Sequence, residues 1–287
     1  MKKDEIIRVL KIMVRNKLSL TGIIIIIALI FTAIFAPFLA PYPEQAEGEP
    51  NLEEKLQPPS STHWFGTDYM GRDVLSRVIY GARISLLVAV SVVALGLLIG
   101  VPLGLLAGYK GGAVDAIIMR TTDIFLSFPP LLLALLISVT LGRGLENAII
   151  ALGVSWWPWY TRLIRGMAIS LKEKPYVEVA KSMGISNWKI IGRHILPNAI
   201  SPVIVQGTMD MGSAILEASA LSFLGLGVQP PTADWGLMVS QGKDYLLNYS
   251  WYPTFPGLAI FITVIAFNLV GDTLREILDP RLRRRFL

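Results

Sequence analysis

The 287-residue chain contains no cysteine and only two histidines. The first absence excludes a disulfide framework and a thiolate metal site. Two histidines are also a poor basis for an imidazole metal centre. Charge is scarce, at 16% of residues, where a soluble domain carries about 25%. There is no G-x-x-x-x-G-K-[ST] phosphate loop. The nearest string, GLMVSQGKD at residues 236–244, has one residue too many between its glycines and an Asp where Ser or Thr belongs. H-E-x-x-H and G-x-S-x-G are missing as well, so zinc-protease and serine-hydrolase chemistry has no anchor.

What the chain has is apolar length; 53% of it is hydrophobic. Six stretches, near 18–40, 83–107, 116–141, 145–164, 200–225 and 255–274, approach the roughly 20 residues that cross a bilayer. Lipid offers the backbone no hydrogen-bond partners, so each is expected to be helical. The fold class is then an all-α polytopic membrane protein with six transmembrane helices. Trp156, Trp157, Pro158 and Trp159 interrupt the fourth stretch; an interfacial aromatic belt, packing inside the bundle and contact with a solute are all open for them. Basic residues precede the first stretch, as in a secretory signal. Its apolar run is too long for one, and Pro37 and Pro41 stand where a cleavage site is needed.

Lys and Arg concentrate on the cytoplasmic side of membrane proteins. With the N-terminus inside, twenty fall on inner segments and six on outer ones. Both termini and the segment around Glu178 are therefore expected in the cytoplasm. The organisation that follows is a cytoplasmic N-terminus (1–17), a first helix (18–40), an extracytoplasmic loop (41–82) and a core of five helices (83–276). A cytoplasmic loop at 166–199 lies within that core, and a basic cytoplasmic tail (277–287) follows it. The cluster at 281–285 reads as a contact for anionic lipid, not nucleic acid. The acidic stretch 42–56 reads as an exposed linker.

Residues 178–197 read EVAKSMGISNWKIIGRHILP. Pro175 suits a first helical turn, and Gly184 suits the left-handed residue that ends a helix. Ser186 or Asn187 can cap a second short helix, which Pro197 is expected to end near Leu196. The expectation is a helix–turn–helix elbow outside the bilayer. Val177, Ala180 and Met183 fall three apart and give it a narrow apolar face for a groove on a soluble partner. The alternative is an amphipathic loop resting on headgroups.

The spacing of Glu178, Ala180 and Gly184, followed after nine residues by His194-Ile195-Leu196-Pro197, resembles the coupling loop of ABC-importer permeases. That pattern is E-A-A, three residues, Gly, nine residues, I-x-L-P; Val179 and His194 depart from it. Residues 65–86 (FGTDYMGRDVLSRVIYGARISL), 215–236 (ILEASALSFLGLGVQPPTADWG) and 255–283 (FPGLAIFITVIAFNLVGDTLREILDPRLR) are similar to the C-type, or second, permease subunit of dipeptide, oligopeptide and nickel importers. The resemblance implies a type I importer permease (MetI-like) fold and no catalysis or cofactor on this chain. It also implies a heterodimer with a B-type permease, two ATPase subunits carrying ATP and Mg, and an extracytoplasmic solute-binding protein. In that reading Glu178, Ala180, Lys181, Gly184, His194, Ile195, Leu196 and Pro197 couple to the ATPase. Relatives carry peptides, nickel chelates, glutathione or oligosaccharides, and the solute here stays open.

Polar residues inside spans usually face protein or a water-filled route. Asp210 and Glu217 share nearly one face of the fifth span. Asp123 follows Arg120 by three, a spacing that permits a local pair. Asn268 and Asp272 share a face of the sixth. Gly96, Gly100, Gly104 and Gly108 form a ladder that lets another helix approach, in this chain or in the partner permease. Asp123, Asp210, Glu217, Asn268 and the first three glycines are the candidates for a pathway or permease interface. A secondary carrier would usually show an internal repeat, and none is convincing; a scaffold that moves no solute is the other rival.

Overall fold

The computed structural model describes residues 12–278. The basic residues Lys2, Lys3, Arg8 and Lys11 and the cluster at 281–285 lie outside the described residues. In chain order the helices begin with α1 (Lys17–Ile34), α2 (Ala36–Leu39), α3 (Pro43–Glu47) and α4 (Val74–Lys110). Next come α5 (Gly112–Leu126), α6 (Pro130–Leu141), α7 (Leu145–Lys172) and α8 (Pro175–Ser182). The last are α9 (Asn187–Ile190), α10 (Leu196–Phe223), α11 (Trp235–Gly242) and α12 (Trp251–Leu278). An isolated bridge joins Thr67 to Asp73, and no strand occurs among the described residues.

Helices α1, α4 and α12 are long and apolar enough to cross a bilayer, and α5 with α6 forms a fourth, bent crossing. Helices α7 and α10, at 28 residues each, have the length to cross but carry more polar residues. Three helices and one bent pair, with two more helices of spanning length, approximate the six expected spans, with two departures from the expected ends. The third span is broken by 88°. Pro129 and Pro130 fall in succession there, and the residue before a proline is pushed out of the helical region. Helix α4 starts at Val74 and runs 37 residues, about 55 Å against roughly 30 Å of hydrocarbon, so one end must stand clear of the membrane core.

The glycine ladder on α4 packs against α7 of the same chain. A methyl group on Gly96, Gly100, Gly104 or Gly108 would stand 2.6–2.8 Å from atoms of Tyr160, Trp157, Thr161 and Ala168 respectively. Thr161 Oγ1 donates to the Gly100 carbonyl at 3.2 Å across this contact. The ladder is thus no free surface for a partner permease, because α7 already occupies it.

The stretch 42–56 is not a plain exposed linker. Ala46 is 1% exposed, and the Gln45 side chain accepts from the Asp73 amide at 2.7 Å. Asp73 caps α4, taking the Ser76 amide at 2.7 Å, and meets His63 at 2.8 Å. Asp68, fully buried, accepts from the Arg72 guanidinium at 2.8 Å. Arg77 reaches across to the carbonyl of Pro231 at 3.2 Å. Asp234 caps α11 through the Leu237 amide at 2.8 Å, and burial pushes its carboxyl above the usual range. Asp68, Arg72, Asp73 and Arg77 are thus buried in a polar cap, while Glu44, Glu47, Glu49 and Glu53 stay exposed as the sequence suggested.

Gly100→Ala, set against backbone and Tyr160, is expected to destabilise the protein by about 1–3 kcal/mol through overpacking. Gly166→Ala, with nothing within 4 Å of the added carbon, is expected to be neutral or stabilising. Thermal unfolding of the purified variants in detergent checks the pair.

Candidate functional site

Two features stand out: the elbow at 175–196 and a polar cavity between α7 and α10. Pro175 opens α8, where its missing amide costs nothing. The helix closes with the Gly184 amide donating to the Lys181 carbonyl at 2.9 Å and the Ile185 amide to the Ala180 carbonyl at 3.1 Å. This Schellman arrangement needs a left-handed residue, and Gly184 has φ 74°. No atom lies within 4 Å of a Gly184 Cβ position. The turn, not packing within this chain, calls for glycine.

Ser186 precedes α9 without a side-chain capping bond. The π-helical turn Ile191–Ile195 then leads directly into α10, whose first turn holds Pro197. Pro197 therefore does not end the second arm, as the sequence suggested. A proline is tolerated where a helix starts, and the wider turn joins the two segments. The second arm and α10 form one continuous helical body.

The apolar side of the elbow faces inward. Val177, Ala180, Ile190, Ile191 and Ile195 are buried with Leu105, Tyr109, Ile164, Ala168 and Val203. Tyr109 Oη donates to Asn187 Oδ1 at 2.7 Å, and Lys181 Nζ sits 5.4 Å from the Tyr109 ring centre. This corrects the expected docking face: α4, α7 and α10 supply the apolar surface that Val177 and Ala180 fill. The outward face carries Tyr176, Val179, Met183 and Trp188, the last two 74% and 70% exposed. Glu178 and Gly184 share that exposure, and so does Pro197; His194 and Leu196 are half-buried. Trp188 went unremarked in the sequence, and Val179 was noted only as a departure from the loop pattern. The available signal was a large apolar residue standing alone in a basic segment.

The cavity measures about 630 Å³ and is lined from α7 by Trp156, Trp159, Tyr160, Arg162 and Leu163. From α10 it is lined by Gln206, Asp210, Ser213 and Glu217, with Pro130 beside them. Tyr160 Oη donates to Asp210 Oδ2 at 2.7 Å, Gln206 Nε2 to Asp210 Oδ1 at 2.8 Å, and Trp156 Nε1 to Glu217 Oε2 at 2.9 Å. Asp210 and Glu217 thus meet the aromatic cluster of α7. Asp123 does not pair with Arg120. It pairs with Arg162 on α7 at 2.7 Å, because the neighbouring helix offers a guanidinium. Asn268 and Asp272 are exposed on α12 and do not line this cavity.

Residues 100–284 match the family model of the binding-protein-dependent transport system inner membrane component. Residues 7–59 match the N-terminal transmembrane domain of oligopeptide transport permease C. The chain is 46% identical over 269 residues to a dipeptide transport system permease protein of Alkalihalophilus pseudofirmus, spanning 94% of this chain and 88% of that protein. It is 42% identical over 269 residues to a glutathione transport system permease protein of Pectobacterium atrosepticum, spanning 94% and 89%. In fold it is similar to a chain of the inward-facing MetNI methionine ABC transporter, with TM-score 0.56 and 20% identity over 71% of this chain and 98% of that one. A chain of an amino acid ABC transporter with histidines gives TM-score 0.53 and 16% identity over 73% and 94%.

Val177→Asp places a charge in the apolar root of the elbow and is expected to cost on the order of 3 kcal/mol. Val179→Asp, at a 58% exposed site, should leave stability unchanged. Melting temperatures of the two purified variants distinguish the buried face from the outward one.

Proposed function

This chain belongs to the binding-protein-dependent transport system inner membrane components, a family of ABC-importer permeases that are multi-pass membrane proteins, and we propose that its solute is a di- or oligopeptide. The two relatives described above support this, since glutathione is itself a short peptide. The chain acts as the C-type half of a heterodimer, and the cavity between α7 and α10 is its part of the route. A B-type permease closes that route from the other side. Both termini and the elbow face the cytoplasm, and the polar cap meets a solute-binding protein outside. ATP and Mg act on two partner ATPase subunits, and no cofactor is needed on this chain.

One observation carries the reading: the elbow's second arm is continuous with the helix that lines the cavity. An ATPase that grips the face of Tyr176, Val179, Met183 and Trp188 therefore moves the wall bearing Asp210 and Glu217. Glu178, Lys181 and Gly184 belong to this mechanical element, anchored by Ala180, Ile195 and Leu196. His194 and Pro197 sit at its junction with α10. A secondary carrier has no use for such a lever.

The absence of cysteine makes a substituted thiol unique on this chain. Met183→Cys is expected to react with a membrane-impermeant thiol reagent in inside-out vesicles only, and to form a disulfide with a cysteine placed on the ATPase surface. Val177→Cys should do neither. Labelling from the outside, or no crosslink from any outward elbow position, would overturn the assignment.

A further inference from the structure

The cavity between α7 and α10 is lopsided in charge. Asp210 and Glu217 stand seven residues apart on α10, about 10 Å along nearly one helix face. Each is held by neutral donors only: Tyr160 and Gln206 for Asp210, Trp156 for Glu217. The Glu217 bond takes one oxygen, Oε2, which leaves Oε1 able to accept. Among the described residues neither carboxylate forms an ion pair. The one cation among the lining residues, Arg162, is engaged by Asp123 at 2.7 Å. The α7 wall opposite is aromatic, and Trp159 on it is 55% exposed.

We propose that this cavity binds the protonated primary amine of the transported solute, with Glu217 and Asp210 as its two successive counter-ions and Trp159 as an aromatic platform. The inference rests on the importer reading above. An acidic side chain within a span is stable only with a partner or water, and a carboxylate beside an aromatic ring is what an ammonium group is attracted to. Among the described residues no group of three His, Cys, Asp or Glu side chains stands ready to hold a metal ion here. The volume of about 630 Å³ lies within the usual range for small-molecule sites.

The test uses the whole complex in liposomes, with the partner permease, ATPases and binding protein, and dialanine as the probe. Uptake of dialanine per ATP hydrolysed is measured for wild type, Glu217→Gln, Asp210→Asn, Glu217→Asp and Trp159→Leu. Glu217→Gln and Asp210→Asn are expected to lower it at least about tenfold, and Trp159→Leu about threefold. Glu217→Asp, which keeps the charge, should recover most of the loss. Unchanged uptake per ATP in assembled Glu217→Gln, Asp210→Asn and Trp159→Leu complexes overturns the inference and leaves the importer reading standing. A wild-type complex that moves no dialanine overturns the peptide reading, and the inference with it. If Glu217→Gln loses the partner permease on purification while Trp159→Leu transports normally, the carboxylate serves a cation on the partner, and that also overturns the inference.

Discussion

The elbow depends on an apolar root. Val177, Ala180, Ile190 and Ile195 have no core of their own, and two short helices in water are unstable by themselves. They persist by burying those side chains against Leu105, Ile164, Ala168 and Val203, each fully buried large side chain contributing roughly 1.5–3 kcal/mol. The same burial fixes which face looks outward. Because the second arm continues through Ile191–Ile195 into α10, Asn187 and Asp210 lie on one helical body, about 35 Å apart. The π-helical turn and Pro202 are the two places where this helical run can bend.

The opposite wall is stiff for a different reason. Glycines on α4 bring its backbone against α7, close enough for Thr161 to bond the Gly100 carbonyl. In lipid, where apolar burial gives helices little reason to associate, such close packing and interhelical bonds do that work. Arg165, bonded to both Asp115 oxygens at 2.5 and 2.6 Å, and Arg162, bonded to Asp123, tie α5 to α7. In the polar cap, the buried set of Asp68, Arg72, Asp73 and Arg77 holds the segment before α4 against the loop at 230–235. The α7 aromatic residues are thus placed by α4 and the α10 carboxylates by the elbow, and the cavity lies between these two supports.

Much of this was legible in the chain. The spans were visible because lipid demands apolar length, and the turn at Gly184 because a left-handed residue has few substitutes. Contacts between residues far apart in the chain were not. The ladder at Gly96–Gly108 announced a close helix approach but not which helix made it. The 42–56 stretch is acidic and proline-rich, so local composition reads as solvent-exposed. Its Glu44, Glu47, Glu49 and Glu53 side chains are indeed exposed, but Gln45 is tied in by Asp73 and Arg77, about 30 residues on, and Ala46 is buried with it, which local composition cannot show. Val177 and Ala180 have the spacing of an apolar stripe, yet periodicity cannot say whether a stripe faces its own bundle or a partner. Pro197 read as a terminator, because a proline that closes one helix and a proline that opens the next look alike in sequence.

The most direct measurement is a pair of distances, by double electron–electron resonance, on the assembled transporter at rest and trapped with ATP. Spin labels go on Met183→Cys in the elbow and Ser213→Cys on α10, and separately on Met183→Cys and Leu98→Cys, exposed on α4. A rigid elbow–α10 body predicts that the Met183–Ser213 distance stays the same between the two states while the Met183–Leu98 distance changes. A Met183–Ser213 distance that changes on ATP binding, with the cavity walls unmoved, would contradict it.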